Sequence, residues 1–199
     1  MVESTQKSKK RDYPWLQDKL DQMLAPISEK SKNEFNEVEF LDETNKHEKV
    51  ILTSYPRSGN TLLRSYIEKI TKIFTGSDGE LKRKLNRELM VMGLEGESEN
   101  DNKVWVVKTH YPERMGRRRF VAQRCIVVVR SPLDAVFSLY NMIGTVTHNQ
   151  SLSDSAFETS VKENLWQEFV LDEIKVWNDL HNYWFEKAKT LPTHFVTYE

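Results

Sequence analysis

The residues of this 199-residue chain whose types and spacing could do chemistry fall into three short groups. The first is Tyr55-Pro-Arg-Ser-Gly-Asn-Thr61, where an arginine and two hydroxyl side chains surround a glycine. The second is Lys108-Thr-His110, a lysine two residues before a histidine, and the third places Arg130 eight residues before Ser138. Each group combines a cation with hydrogen-bond donors, which is the chemistry that binds phosphate or sulfate.

The first group lies between an apolar run at 50–54 and a run with helical spacing that starts near Thr61. A strand, a tight turn and a helix in this order would bring the backbone N–H groups of residues 58–61 together at the positive end of the helix dipole. Arg57 would add a full charge, and Gly59 would let the backbone approach an anion closely. The segment lacks the Gly-Lys-Ser/Thr ending of a Walker A loop, which disfavours ATP hydrolysis. The alternative is an ordinary helix start with an exposed arginine.

The other two groups could supply a base and a second anion site. An unperturbed histidine titrates near pH 6.5, so a neutral His110 could accept a proton beside the charge of Lys108. Arg130 and Ser138 could hold a second anionic group. The alternatives are a loop histidine bonded to the backbone and a salt bridge from Arg130 to Asp134.

The three groups follow predicted strands of an α/β fold. Continuous apolar runs predict strands at 50–54, 104–107, 125–129 and 194–197, and helical spacing predicts helices at 61–74, 80–92, 132–143 and 156–189. Strands that are apolar throughout, without alternating polar residues, are typical of a sheet covered on both faces. We therefore predict three layers, a central parallel sheet flanked by helices. Ligands of such sheets bind beyond the carboxyl ends of the strands, where the three groups lie.

Composition excludes several classes of protein. The net charge of −1 argues against binding of nucleic acid through global charge. A single cysteine, Cys125, excludes an intrachain disulfide and a cysteine metal cluster, and no other spacing predicts a metal site. No apolar run reaches the roughly 18 residues of a membrane helix, and the N-terminus lacks the pattern of a signal peptide. We expect a cytoplasmic protein with no membrane segment and no nucleic-acid partner.

Residues 1–48 are predicted as a polar N-terminal extension with one short helix after Pro14, and residues 49–199 as the α/β domain. Arg64 could reach a bound phosphate or form a salt bridge at the edge of the core. His148 and His181 belong to no pattern and receive no role. A basic cluster could receive an anionic acceptor or form a solvated surface; it comprises Arg114, Arg117, Arg118 and Arg119.

Taken together, the three groups resemble the sulfotransferases that use 3′-phosphoadenosine-5′-phosphosulfate (PAPS), over residues 49–199. The resemblance implies a P-loop-like nucleotide-binding topology. It implies that a first loop grips the 5′-phosphosulfate, formed by Arg57, Ser58, Gly59, Asn60 and Thr61. It further implies that Arg130 and Ser138 bind the 3′-phosphate and that Tyr198 reaches the adenine.

The chain departs from the family pattern at three places. The first loop has Arg57 where the family usually has lysine, and Leu62 stands where a tryptophan often stacks on adenine. The family's later Gly-x-x-Gly-x-Trp-Lys/Arg loop does not follow Tyr198-Glu199. We therefore expect a domain that is incomplete at its C-terminal side.

The resemblance implies sulfuryl transfer from PAPS to a hydroxyl or amine of a small-molecule, glycan or protein acceptor, without a metal. The implied catalytic residues are His110, Arg57 and Lys108, and the implied product is adenosine 3′,5′-bisphosphate. One alternative is a weakly active or inactive nucleotide-binding or scaffold protein of the same fold. A kinase-like phosphotransferase is the less favoured alternative. No pattern specifies the acceptor or an oligomeric state.

Overall fold

A computed structural model describes residues 38–44, 46–80, 84–112 and 118–199 of the chain. The predicted helix after Pro14 lies outside the described residues, as do Arg114 and Arg117 of the basic cluster. The described residues form strands β1 (Val50–Ser54), β2 (Gly76–Ser77), β3 (Val106–Thr109), β4 (Arg124–Val129) and β5 (Thr193–Thr197). Their helices are α1 (Asn60–Thr71), α2 (Lys84–Val91), α3 (Pro132–Thr145), α4 (Asp154–Lys162) and α5 (Leu165–Lys187).

The five strands form one parallel sheet in the order β2-β3-β1-β4-β5. The first strand therefore lies at the centre, with Thr53 opposite Thr109 on one side and opposite Val127 on the other. Because β1, β3 and β4 are neighbours and run the same way, their carboxyl ends meet at one edge. The predicted α/β fold with a central parallel sheet is confirmed, and it is consistent with a P-loop-like topology.

Each face of the sheet has its own apolar layer. On one face, Cys125 and Val127 pack with residues of α3 and α5, including Leu139 and Trp184. On the other face, residues of β1, β3 and β4 pack against the inner side of α1; these are Val50, Leu52, Val106 and Val128, with Leu63 and Ile67. Helices on both faces explain why the strand segments read as unbroken apolar runs.

Cys125 is a core residue, as its position in an apolar run of the sequence predicts. Its side chain is buried, and burial raises the pKa of the thiol to about 12. The thiol therefore stays protonated at neutral pH, which suits a small apolar packing residue rather than a nucleophile.

Three elements differ from the predicted ones. The second predicted strand, 104–107, is shifted to Val106–Thr109, which places Lys108 inside β3. The two-residue β2, made of glycine and serine, carries no apolar run and was not predicted. The long predicted helix at 156–189 is divided into α4 and α5 at Asn164, whose φ of 61° is left-handed. Asparagine adopts this conformation more readily than most residues, so it can end one helix and start the next.

Arg64 of α1 is wholly buried, and its guanidinium is bound to two residues, Glu97 and Thr75. It donates to Glu97 Oε2 at 2.5 Å, to the hydroxyl of Thr75 at 2.8 Å and to the carbonyl of Thr75 at 3.0 Å. Glu97 also accepts from the hydroxyl of Ser77 at 2.7 Å. This network ties α1 to β2 and to the loop before β3, so of the two expectations for Arg64 the salt bridge is correct.

The charge of Glu97 depends on this network. Burial alone would raise its pKa, but the charges of Arg64 and Lys108 and the hydrogen bonds from Arg64 and Ser77 outweigh burial and hold the pKa below its usual range. A carboxyl whose pKa is lower in the folded than in the unfolded chain stabilises the fold at pH values above its unfolded pKa. This contribution is present at pH 7 and is lost as the pH falls through the folded pKa.

Replacing Arg64 by alanine should destabilise the fold by about 3–5 kcal/mol, because Glu97 would stay buried without its partner. The free energy of unfolding in urea measures the loss. The matched control is Arg124→Ala, which removes an exposed ion pair to Glu48 of 2.9 Å and should cost less than about 1 kcal/mol. The double change Arg64→Met with Glu97→Leu should recover most of the lost stability. Equal losses for Arg64→Ala and Arg124→Ala would contradict the role of Arg64.

Candidate functional site

The three groups singled out from the sequence meet at the carboxyl edge of the sheet. The loop from Tyr55 to Gly59 leaves β1, His110 directly follows β3, and Arg130 directly follows β4. The register explains their proximity, since Ser54 at the end of β1 lies opposite Val128 of β4. One edge of three neighbouring strands thus carries the predicted cations, the histidine and the hydroxyl groups.

The loop after β1 has the geometry of an anion cradle. Arg57 and Gly59 have left-handed φ angles of 65° and 86°, which turn the chain tightly into the start of α1 at Asn60. The side-chain amide of Asn60 donates to the hydroxyl of Ser54 at 3.2 Å and so links the start of α1 to the end of β1. The first N–H groups of a helix have no partner within the helix, so α1 presents free donors at this end.

Ser58 adds a polar atom that the described residues leave unsatisfied. Its side chain is fully buried, and its hydroxyl has no hydrogen-bond partner among them. Buried hydroxyl groups are normally hydrogen-bonded. An anion seated on the loop would accept from this hydroxyl together with the backbone N–H groups.

The guanidinium of Arg57 reaches from the loop to α3 and to the segment that follows α3. Its Nε donates to the hydroxyl of Ser138 at 2.9 Å. One terminal nitrogen lies 3.0 Å from Nδ1 of His148, and the other donates to the His148 carbonyl at 3.2 Å. Neutral acceptors therefore orient the arginine and leave its positive charge uncompensated.

Arg130 lies beside Arg57 and is held in a similar way. It donates to the carbonyl of Arg57 at 2.7 Å, and its guanidinium carbon lies 4.6 Å from the centre of the Tyr198 ring, a cation–π distance. No carboxylate in the described part of the chain forms a salt bridge with either arginine, so the alternative pair of Arg130 with Asp134 is absent there. Burial, and then the charge of Arg130, lower the pKa of Arg57, while Tyr198 opposes the shift.

Tyr198 packs directly on the cradle loop. A Cβ added to Gly59 would lie 2.2 Å from Cδ2 of the Tyr198 ring. The next residue, Glu199, accepts from the backbone N–H of Ser131 at 2.9 Å. The last residues of the chain therefore lie against both the first loop and the start of α3, which puts the ring of Tyr198 at the site.

The backbone fixes the tautomer of His110. Its Nδ1 lies 2.8 Å from the carbonyl oxygen of Ser54, and a carbonyl can only accept, so Nδ1 carries the proton. In the neutral ring the other nitrogen, Nε2, is then the basic one. A histidine held in this way has the form that a general base requires.

Lys108 of β3 provides a third cation near this edge. Its charge opposes the rise in the pKa of Asp78 and contributes to the lowered pKa values of Glu97 and His148. For Asp78 burial dominates and raises the pKa, whereas for Glu97 the favourable charges prevail. The charge of Lys108 therefore acts both on these buried carboxylates and on His148.

His148 is the site residue that the sequence did not reveal. It stands alone in a polar segment after α3, and only the return of that segment to the β1 loop brings it to Arg57. His181, the other histidine without a pattern, is a buried residue of α5 whose Nδ1 lies 2.6 Å from the carbonyl of Trp177. We assign His181 to the core.

The described part of the basic cluster faces the acidic loop at 95–101 through backbone groups. Arg118 donates to the carbonyl of Ser98, and Asn100 donates to the carbonyl of Arg118 at 3.0 Å.

Among the described residues no group of three or more His, Cys, Asp or Glu side chains could hold a metal ion. None of the described helices combines the length and the apolar character needed to cross a membrane.

Comparison with known proteins defines the class to which this fold and site belong. The family model described as a sulfotransferase domain matches residues 47–199, and the chain therefore belongs to the sulfotransferase-domain family. The resemblance inferred from the three groups is confirmed.

The relatives that the chain matches are WSCD family members. It is 30% identical over 133 residues to GA21586 of Drosophila pseudoobscura pseudoobscura and 29% identical over 134 residues to CG9164 of Drosophila melanogaster, in each case over 67% of this chain and 39% of the relative. AAEL009094 of Aedes aegypti is 28% identical over 142 residues, 71% of this chain and 42% of the relative. The chain thus spans about two fifths of the length of these curated relatives. No solved structure matches it significantly.

Replacing Gly59 by alanine should destabilise the loop through two separable effects. The left-handed φ of 86° should cost about 1–2 kcal/mol for any residue with a Cβ, and the new methyl group would displace the ring of Tyr198. The free energy of unfolding reports the sum. In a Tyr198→Ala background the steric part should disappear while the backbone part remains. A cost for Gly59→Ala that is the same in both backgrounds would show that Tyr198 does not pack on the loop.

Proposed function

We propose that this chain carries the donor-binding and catalytic part of a sulfotransferase that moves a sulfuryl group from PAPS to a hydroxyl or amine. The proposal rests on one observation above all. Two arginines without a carboxylate partner among the described residues stand at the edge of the sheet that also holds a histidine with a defined tautomer. Membership of the sulfotransferase-domain family supports the reaction class.

In this proposal the loop after β1 binds the 5′-phosphosulfate. The backbone N–H groups of residues 58–61 and the hydroxyl groups of Ser58 and Thr61 donate to its oxygens, and the helix dipole of α1 favours its charge. Arg57 adds a planar cation that keeps one unbonded N–H group on each terminal nitrogen. The unsatisfied Ser58 hydroxyl is the clearest sign of a missing acceptor at this position.

Arg130 and Ser138 would hold the 3′-phosphate and so distinguish PAPS from ATP. Arg130 keeps an unbonded Nε that is buried, with no partner among the described residues. Ser138 accepts from Arg57, which leaves its own hydroxyl proton for a phosphate oxygen. Tyr198, next to Arg130, offers a ring on which adenine can stack.

The chemistry that we propose is a direct transfer. His110 takes the proton of the acceptor on Nε2 while the acceptor oxygen or nitrogen forms a bond to sulfur. The bond from sulfur to the bridging oxygen breaks, and its electron pair leaves with adenosine 3′,5′-bisphosphate. Arg57 and Lys108 stabilise the negative charge that grows on the bridging and transferred oxygens. Side-chain cations perform the neutralisation that a metal ion performs in other phosphate enzymes.

We further propose that the acceptor group belongs to a small molecule, a glycan or a protein. We also propose that the protein is cytoplasmic. Calorimetry with adenosine 3′,5′-bisphosphate, 5′-AMP and ATP tests the donor, and transfer from radiolabelled PAPS to a panel of acceptors tests the reaction. Preference for the bisphosphate supports the proposal. Binding without transfer to any acceptor would favour a scaffold protein, and magnesium-dependent preference for ATP would favour a phosphotransferase.

Replacing Arg130 by alanine should weaken binding of adenosine 3′,5′-bisphosphate by about ten- to a hundred-fold, because a charge-assisted contact to the 3′-phosphate is lost. Affinity for 5′-AMP, which has no 3′-phosphate, should change much less. Calorimetry on both ligands measures the difference. An equal loss for both would mean that Arg130 acts only by supporting the carbonyl of Arg57.

Replacing His110 should slow sulfuryl transfer by about 10²–10⁴-fold with little change in bisphosphate affinity, as expected when a general base is removed. His110→Asn is the informative variant, because its amide can still donate to Ser54 but has no basic nitrogen. His194→Asn on the exposed side of β5 serves as the control. Transfer by His110→Asn at the unaltered rate would exclude His110 as the base.

A further inference from the structure

His148 contacts the arginine of the cradle loop through both its ring and its backbone. Arg57 NH1 lies 3.0 Å from the ring Nδ1, and Arg57 NH2 donates to the His148 carbonyl at 3.2 Å. Together with the bond from Arg57 Nε to Ser138, these contacts hold the guanidinium at each of its three nitrogens. No motif in the sequence and no role in the proposed chemistry accounts for His148.

The contact defines the state of the His148 ring. A guanidinium can only donate, so Nδ1 must accept, and the proton of the neutral ring is on Nε2. The ring is half-buried, and burial and the nearby charge of Arg57 lower the pKa of His148, with a smaller effect of Lys108 in the same direction. The carbonyl of Leu85 and the carboxylate of Glu88 oppose this shift without reversing it. His148 is therefore a neutral acceptor at pH 7.

The number of donors on Arg57 shows what this contact achieves. A guanidinium has five N–H groups in one plane. Three of them are held by Ser138 and His148, which leaves one on each terminal nitrogen. Because His148 holds both terminal nitrogens, the orientation of the plane and of the two remaining N–H groups is fixed.

We propose that His148 is a positioning residue, which fixes the orientation of the Arg57 guanidinium and so holds its positive charge in place for the anion in the cradle. The identity of that anion as the 5′-phosphosulfate of PAPS rests on the proposed function. His148 does not touch the reacting atoms in this arrangement. It acts through Arg57, and its loss should matter only for ligands that Arg57 binds.

The test compares two ligands that differ only at the 5′ position, adenosine 3′,5′-bisphosphate and 3′-AMP, with the whole 199-residue chain. His148→Ala should weaken bisphosphate binding about ten-fold, as for the loss of a hydrogen bond to a charged group, and should leave 3′-AMP binding unchanged. His148→Asn should restore binding, because its side-chain oxygen lies near the position of Nδ1. Equal loss for both ligands, or no recovery with Asn, would overturn the proposal.

A double-mutant cycle with Arg57→Ala separates positioning from general packing. If His148 acts through Arg57, then His148→Ala should have no further effect on bisphosphate affinity once Arg57 is alanine. Independent, additive losses would overturn the proposal. His194→Asn is the matched control for removal of a histidine, and unfolding in urea verifies that each variant is folded.

Two measurements keep this proposal distinguishable from the proposed function. Nitrogen NMR of the wild-type chain should show His148 with an unprotonated Nδ1 and a protonated Nε2, and the opposite tautomer would overturn the proposal without any variant. The same cycle is also repeated with inorganic sulfate as the ligand. Coupling of His148 to Arg57 for sulfate, without any preference for the bisphosphate, would retain the positioning role and reject PAPS as the donor.

Discussion

The site depends on two arginines that repel each other and are nevertheless held side by side. Arg130 lowers the pKa of Arg57 through its charge, yet it also donates to the Arg57 carbonyl and so braces the loop that carries its neighbour. The groups that hold the pair are a carbonyl, a hydroxyl, an imidazole and an aromatic ring, and all of them are neutral. A carboxylate would have cancelled the charge, whereas neutral partners preserve it. The edge of the sheet therefore carries two positive charges that none of the described carboxylates neutralises through a salt bridge.

This arrangement requires a rigid base, which the centre of the sheet and a buried ion pair provide. The first strand lies between β3 and β4, so the loop that follows it is flanked by His110 on one side and Arg130 on the other. Helix α1 continues that loop, and Arg64 fastens α1 to Glu97 and Thr75. Movement of α1 would displace its N-terminal donors and Gly59 together. The ion pair between Arg64 and Glu97 therefore contributes to the site although neither residue reaches it.

The sequence predicted the parts of this structure that are encoded locally. Apolar runs located β1, β4 and β5, because strands covered on both faces must be apolar throughout. The run at 104–107 misplaced β3 by two residues, since Val104 is buried without belonging to the strand. The chain segment at 76–77 is too short for a pattern, and the role of Arg64 depended on Glu97, which is 33 residues away. His148 could not be assigned, because its contact with Arg57 spans 91 residues and no motif includes it.

The presence of an arginine, Arg57, in the first loop gives a physical reason for the position of His148. The sulfotransferases that the chain resembles usually have a lysine where this chain has Arg57, and the ammonium of a lysine is a compact charge on a flexible stem. Arginine places its charge on a plane, and a plane is useful to an anion only in the correct orientation. The bond from Nε to Ser138 holds the plane at one nitrogen, and a single contact does not define its orientation. The ring and carbonyl of His148 remove this freedom. A lysine at this position would not need the Nδ1 acceptor to orient its charge. Arg57 and His148 therefore act as a pair in binding the anion. A substitution at either position should reduce anion affinity less when the other residue is replaced as well.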